Sequence, residues 1–202
     1  MRKNILVGLP VLVVAILAVG CAKPPQQELD AMKAALQAAE QAEAPKYAPA
    51  DWDKAQQAVN AANAEVEAQN AKFALFRSYT KAKQLIADAT AAANAAKEAG
   101  VAGKEKAKNE AREAIDAAKA SLTAAQEALA ALEQCRRKPK DLKKDLEIQK
   151  GNLDGLASQV SGLEDAFDRE DFFGAKAQAD SLKGQIDTIA NELANAKTKI
   201  KC

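Results

Sequence analysis

The sequence has no histidine, few aromatic residues and no excess of either charge. Its 202 residues include 29 basic and 28 acidic residues, and aromatic residues make up 4%. The lack of histidine removes much of the usual catalytic and metal-binding chemistry. The charge balance argues against a nucleic-acid-binding protein, which would have a strong basic excess. No Gly-rich phosphate loop, nucleophile elbow or Cys/His metal spacing occurs, so we expect no enzyme, no cofactor and no metal.

Alanine, glutamate, lysine, glutamine and leucine are abundant instead, a composition typical of long, closely packed helices. Alanine forms helices best but is too small to build a thick core. Apolar residues recur at alternating spacings of three and four, the heptad seam of a helical bundle. The most regular seam comprises Phe172, Ala175, Ala179, Leu182, Ile186, Ile189, Leu193, Ala196 and Ile200. We therefore predict an all-α fold, an antiparallel, heptad-patterned helical bundle.

Turn residues divide this pattern into two related three-helix units in tandem, residues 27–99 and 104–202. In the first unit we predict turns at Pro45–Pro49 and around residues 76–79, and the segment Gly100–Gly103 is expected to end its last helix. One long helix with a phase change near residue 76 is the alternative to the second turn. In the second unit we predict turns at Cys135–Pro139 and at residues 168–171.

The two units look like copies, because Pro49-Ala50-Asp51-Trp52 aligns with Pro139-Lys140-Asp141-Leu142. Internal repetition of this kind is typical of a duplicated structural unit rather than a catalytic pocket. Glycines 151, 155, 162, 174 and 184 are unfavourable inside helices. We interpret them as positions where helices approach closely.

The first 21 residues combine a basic tip, an apolar run and small residues that lead into Cys21. Arg2 and Lys3 precede the run from Ile5 to Val19, which is the order of an export signal. The stretch resembles the lipobox of bacterial lipoproteins, with Ala18 where that family usually has leucine. The resemblance implies a signal peptide over residues 1–20, a diacylated Cys21 and a tether over residues 21–26. An uncleaved membrane anchor is the alternative, but the run is shorter than the roughly 20 apolar residues of a spanning helix.

A second resemblance is carried by Tyr47-Ala48-Pro49-Ala50-Asp51-Trp52, followed by alanines at helical spacing. This pattern resembles an uncharacterised family of Ala-rich helical lipoproteins with a domain of unknown function, over residues 27–99 and more weakly over 104–200. The resemblance implies a helical fold and a cell-envelope location, and no activity. By analogy with lipoprotein sorting, Ala22 and Lys23 favour the periplasmic face of the outer membrane over the inner membrane.

Cys135 and Cys202 are the other two cysteines, and thiol pairs in exported chains are usually oxidised. In the predicted topology the helices that end at these residues are parallel and of similar length, so both cysteines lie at one end of the unit. A disulfide would close a loop of over sixty residues and stabilise the fold by about 3–4 kcal/mol. Two free thiols, or an intermolecular bond through Cys202, are the alternatives.

A basic turn follows Cys135. It comprises Arg136, Arg137, Lys138, Lys140, Lys143 and Lys144. Cations suit the end of the preceding helix but are disfavoured in the first turns of the next one. The turn is interpreted either as a solvated surface partly balanced by Asp141 and Asp145, or as a contact for anionic headgroups, peptidoglycan or an acidic envelope protein.

Aromatic residues surround the two reversals, Phe73, Phe76 and Tyr79 in the first unit and Phe167, Phe172 and Phe173 in the second. We expect these rings to plug the open ends of alanine-packed hairpins, with a small ligand pocket as the alternative. The acidic pairs Glu164-Asp165 and Glu170-Asp171 lack a spacing that converges on one cation, and we expect them to be surface charge.

Together these features predict a non-enzymatic, lipid-anchored envelope protein that acts as a structural or adaptor element. The alternatives are a periplasmic ligand- or client-binding helical module and a cell-wall spacer resembling the major murein lipoprotein. That family ends in a lysine joined to peptidoglycan, whereas this chain ends Lys201-Cys202. The expected partners are a membrane, through the lipid, and peptidoglycan or an envelope protein. Alanine seams can also join copies of the chain, so a homo-oligomer stays open.

Overall fold

The computed structural model describes residues 23–136 and 139–200, and this part of the chain contains helices and turns but no strand. In chain order the helices are α1 (Gln26–Gln41), α2 (Ala44–Tyr47), α3 (Pro49–Asn70), α4 (Thr80–Glu133), α5 (Lys140–Ser161), α6 (Leu163–Asp168) and α7 (Phe172–Ile200), with a short 3-10 turn at Ala74–Phe76. The prediction of an all-α helical bundle is confirmed. The chain divides into two compact units between Gly103 and Lys104.

The first unit packs α1, α3 and the first part of α4 around two apolar clusters. The larger cluster comprises Leu29, Met32, Val59, Ala62, Val66, Tyr79, Ala82, Ile86 and Ala89. The smaller is built entirely from alanines, Ala39, Ala44, Ala55, Ala93 and Ala96, with Trp52 packed against it. Alanine faces allow helix backbones to lie close together, so the core is thin but dense.

The turn between α1 and α3 is more ordered than its prolines predict, because Ala44–Tyr47 forms a helical turn of its own. Glu43 takes a left-handed conformation with φ of 55° after the end of α1, which is where a helix reverses direction. Pro49 then occupies the first turn of α3, where proline is tolerated because its missing N–H has no helical partner.

The predicted reversal near residues 76–79 is confirmed, since α3 ends at Asn70 and α4 begins at Thr80. The predicted helix end at Gly100–Gly103 is wrong, because α4 continues through this segment to Glu133. A Cβ atom at Gly103 would lie 2.3 Å from the carbonyl oxygen of Tyr47, and one at Gly100 would lie 2.8 Å from that of Ala42. These glycines therefore serve contact with the α1–α3 turn, and they do not end a helix.

The second unit comprises the rest of α4 with α5, α6 and α7, where α5 and α6 both contact α7. The predicted turns at Cys135–Pro139 and at residues 168–171 are confirmed. Glu170, with φ of 58°, and Asp171 form the second reversal, and the Asp171 carboxylate accepts a hydrogen bond of 3.2 Å from the backbone N–H of Gly174. Asp171 thereby caps α7.

The other glycines do not have the predicted role in close helix approach. A Cβ atom at Gly151, Gly155 or Gly184 would meet nothing within 4 Å, and one at Gly174 would meet only the side chain of Asp171 that caps α7. Gly162 lies between α5 and α6 and interrupts a helix that the sequence predicts as continuous. Ser–Gly pairs are common sites of helix kinks, and Ser161 Oγ donates to the carbonyl oxygen of Ser158 at 2.7 Å.

Candidate functional site

The basic turn is solvent-exposed where the structure describes it. Arg136, Lys140, Lys143 and Lys144 are all exposed, and none of them forms an ion pair with another described residue. The predicted charge balance by Asp141 and Asp145 is therefore not made through direct contacts in this part of the chain. Arg137 and Lys138 lie outside the described residues.

Cys135 is buried, with 5% of its surface exposed, and its Sγ lies 3.4 Å from the carbonyl oxygen of Ala131. Its predicted partner Cys202 lies outside the described residues, and so does Cys21, the predicted site of lipidation. The disulfide and the lipidation therefore both stay predictions.

A groove with a volume of about 660 Å³ lies between α5 and α7 on the second unit. Its apolar floor consists of Leu142, Leu146, Leu193, Ala196 and Ile200, and its polar rim of Asp145, Gln149, Glu192, Asn195 and Lys199. Gln149 Nε2 donates a hydrogen bond of 2.6 Å to Glu192 Oε2 across the rim. A shallower depression beside Gly151 and Gly155 continues along the same two helices.

This groove was not predicted from the sequence. The polar residue Gln149 stands in the apolar seam of α5, just before Gly151 and Gly155, and these glycines were interpreted as positions where helices approach closely. Their lack of side chains instead leaves space beside α7. A polar seam residue followed by two exposed glycines was the available signal.

Charged side chains join α4 to α6 and α7 within the second unit. Glu164 accepts hydrogen bonds from Arg112, at 2.9 Å, and from Lys119, at 2.5 Å. The hydrogen bond from Lys119 lowers the pKa of Glu164, Arg112 lowers it further, and burial opposes both. The Arg112 guanidinium also lies 3.9 Å from the centre of the Phe167 ring. We call these contacts among Arg112, Lys119 and Glu164 the first latch, because their charge-assisted hydrogen bonds join α4 to α6.

A second latch is centred on Asp187 of α7, whose carboxylate accepts hydrogen bonds from Lys183 and from Ser121 of α4. The hydrogen bond from Lys183 lowers the pKa of Asp187, the one from Ser121 adds to this effect, and burial opposes it. Among the described residues there is no group of three Asp, Glu or Cys side chains placed to hold a metal ion.

The aromatic residues at the reversals do not all plug the hairpin ends as predicted. Tyr79 and Phe172 are buried, but Phe73 and Phe76 are 69% and 76% exposed and Phe173 is 49% exposed. Leu75, beside the two exposed rings, is 67% exposed. The prediction is wrong for Phe73 and Phe76 because α3 ends at Asn70, so the seam does not extend to them.

Comparisons with protein-family models, with curated proteins and with solved structures give no match to this chain. The resemblance to Ala-rich lipoproteins therefore stays a prediction. In the described part of the chain, no helix is both long enough and apolar enough to cross a bilayer.

Proposed function

We propose that the protein is a lipid-anchored cell-envelope protein that acts as a non-enzymatic structural or adaptor element, on the periplasmic face of the outer membrane. The observation that carries the proposal is the arrangement around Cys21. The lipobox-like segment ends there, Pro25 is already buried against the fold, and α1 begins at Gln26. A lipid at Cys21 would thus hold a folded domain directly at the membrane surface.

The proposal is tested by separating membranes from soluble periplasm in a bacterium that expresses the full chain or its Cys21→Ser variant. We expect the wild-type chain to be found in the outer-membrane fraction and to incorporate labelled palmitate. The variant should incorporate none. Equal membrane retention without label in either chain would contradict the proposal.

For the adaptor role, the supporting feature is the exposed basic turn, which offers at least four cations without ion-pair partners among the described residues. Such a surface suits peptidoglycan carboxylates or an acidic envelope protein. Replacing all six basic residues of the turn with Ser or Gln is expected to abolish co-sedimentation with purified peptidoglycan. Unchanged sedimentation would exclude this contact. A variant with three substitutions on α1, Lys33→Gln, Gln37→Asn and Glu40→Gln, controls for altered surface composition.

The disulfide between Cys135 and Cys202 is part of the proposal, because an envelope protein matures in an oxidising compartment. Lys199 and Ile200, at the end of α7, line the same groove as Pro139 and Leu142, so the end of α7 lies near the turn that follows Cys135. Mass mapping under non-reducing conditions should recover one peptide pair joined through these cysteines. Recovery of both as alkylated free thiols would contradict the pairing.

A second candidate function, an apolar client-binding module, is favoured by the groove between α5 and α7. Helical grooves with an apolar floor and a polar rim are a recurring site for amphipathic peptides. A photo-crosslinking residue at Asn195 of the rim should then capture one recurring envelope protein, and the same residue at Lys176 of α7 should not. The same adducts from both positions, or none, would count against client binding.

A further inference from the structure

The turn between α3 and α4 presents three large apolar side chains to solvent within four residues. Phe73, Leu75 and Phe76 are 69%, 67% and 76% exposed, and the Phe73 and Phe76 rings lie 6.3 Å apart. We call these three residues the apolar tip. Single exposed apolar residues are common on protein surfaces, but a contiguous group marks a site of contact.

The exposure of the apolar tip is imposed by polar contacts beneath it. Arg77 donates hydrogen bonds of 2.9 Å from Nε to the Lys72 carbonyl oxygen and from an Nη atom to that of Asn70. Gln69, only 7% exposed, accepts a hydrogen bond of 3.1 Å from the backbone N–H of Ser78. These contacts fix the chain on both sides of the tip, so its side chains are held away from the core.

The apolar tip lies at the end of the first unit where α1 begins. Lys83, in the first turn of α4, forms an ion pair of 2.9 Å with Glu28 in the first turn of α1. Leu29 also shares a core cluster with Tyr79. Three residues separate Pro25 from Cys21, and the four steps from one Cα to the next can span at most about 14 Å.

Positive charge accompanies the apolar tip. Lys72 and Arg77 flank it directly, and Lys23 is exposed at the same end of the unit. Two acidic side chains at this end of the unit are paired, Glu65 with Lys81 at 2.8 Å and Glu28 with Lys83, while Glu67 in the last turn of α3 is exposed. Aromatic and aliphatic side chains with cationic neighbours match the boundary between acyl chains and anionic headgroups, where rings and basic residues are enriched.

We propose that the apolar tip inserts into the headgroup region of the anionic bilayer that carries the lipid anchor, and forms a second membrane contact of the first unit. The lipid surface is assigned as the occupant because the tip lies at the end of the first unit where α1 begins, because α1 begins five positions after Cys21, and because Lys72 and Arg77 flank the tip. The inference rests on the proposed anchoring for this proximity. The first unit would then contact the membrane at two points, the lipid at Cys21 and the apolar tip.

The test uses the full chain, whose single tryptophan simplifies the measurement. Trp52 lies in the first turn of α3, at the opposite end of that helix from the tip. A Trp52→Phe/Phe76→Trp variant reports on the tip. A Trp52→Phe/Val101→Trp variant is the matched control, because Val101 is 56% exposed and lies between the two glycines that contact the α1–α3 turn. Circular dichroism checks that both variants are folded.

The variants are extracted from membranes and reconstituted in vesicles of phosphatidylethanolamine and phosphatidylglycerol, with or without brominated acyl chains. We expect the brominated acyl chains to reduce the tryptophan fluorescence of the Phe76→Trp variant at least about twofold, as for a ring at the acyl boundary. The fluorescence of the Val101→Trp variant should not change. Replacing phosphatidylglycerol with phosphatidylcholine should reduce the quenching, because the anionic headgroups are then absent.

The intact mass of each sample separates the two proposals. If the Phe76→Trp variant is acylated and bound to the vesicles but its tryptophan fluorescence is not quenched, the second contact is refuted and the anchor is retained. Quenching of an unacylated chain at this position alone would support the tip and refute the anchor. An unacylated chain without quenching would refute both.

Discussion

Replacing Gly103 with alanine is expected to destabilise the first unit by about 2 kcal/mol, although alanine is the better helix former. The added Cβ would lie 2.3 Å from the carbonyl oxygen of Tyr47 and 3.0 Å from its carbonyl carbon. Both are backbone atoms, so no side-chain rotation relieves the overlap and the α1–α3 turn must move. Overpacking of this kind costs about 3 kcal/mol at the upper end of its range, and the gain in helix propensity recovers about 1 kcal/mol.

Gly151 provides the matched control, because a Cβ atom there would meet nothing within 4 Å. The Gly151→Ala substitution should therefore stabilise the protein by about 0.5–1 kcal/mol through helix propensity alone. The Gly100→Ala substitution should lie between these extremes, since its Cβ would lie 2.8 Å from the Ala42 carbonyl oxygen and 2.9 Å from the Ala44 Cα.

Urea and thermal unfolding measure these differences. Trp52 fluorescence follows the first unit, because its side chain packs against the cluster that contains Ala93 and Ala96, and circular dichroism follows the whole chain. The first unit of the Gly103→Ala variant should unfold about 8–16 °C below wild type. A Gly103→Ala variant as stable as Gly151→Ala would refute the close contact between α4 and the α1–α3 turn.

Three further predictions concern side chains in the two units. Met32 is fully buried, so Met32→Ala should cost about 2–5 kcal/mol in urea unfolding. Arg77→Ala should reduce the free energy of unfolding by about 1–2 kcal/mol because two backbone carbonyls lose their donors. The control Lys72→Ala should change it by less than about 0.5 kcal/mol, and equal effects of the two substitutions would contradict the role of Arg77. Because its partners lower the pKa of Glu164, the ionised carboxylate stabilises the fold above its ordinary pKa, and this contribution is lost as pH falls through the lowered value. Glu164→Gln should therefore reduce stability by about 1 kcal/mol at pH 7 and converge with wild type in acid, and a constant difference at all pH values would refute the latch.

The helical seams could be predicted from the sequence because burial follows a simple period wherever a helix is continuous. In α7 the predicted seam from Phe172 to Leu193 is buried at every position, and only Ala196 and Ile200, which line the groove, are half-buried. The turns at Cys135–Pro139 and residues 168–171 were predictable because runs of polar and turn-forming residues interrupt the seam there.

The failures arise where a distant part of the chain decides the local structure. Gly100 and Gly103 suggest a helix end because glycine has a low helix propensity. In the fold, the backbone of Ala42–Tyr47 packs so close to α4 that a side chain at either position would overlap it. Phe73 and Phe76 fit the helical period of α3, yet the helix ends before them and Arg77 fixes the turn. The groove between α5 and α7 was missed because periodicity alone does not distinguish a glycine at a close contact from a glycine beside an open space.

The most direct test of the proposed anchoring is the intact mass of the full chain after expression in a lipoprotein-processing bacterium and extraction from its membranes. We predict a chain that begins at Cys21 and carries the added mass of a diacylglyceryl group. The Cys21→Ser variant should carry this added mass on no residue. A chain that retains residues 1–20, or one that is cleaved without lipid, would contradict the account.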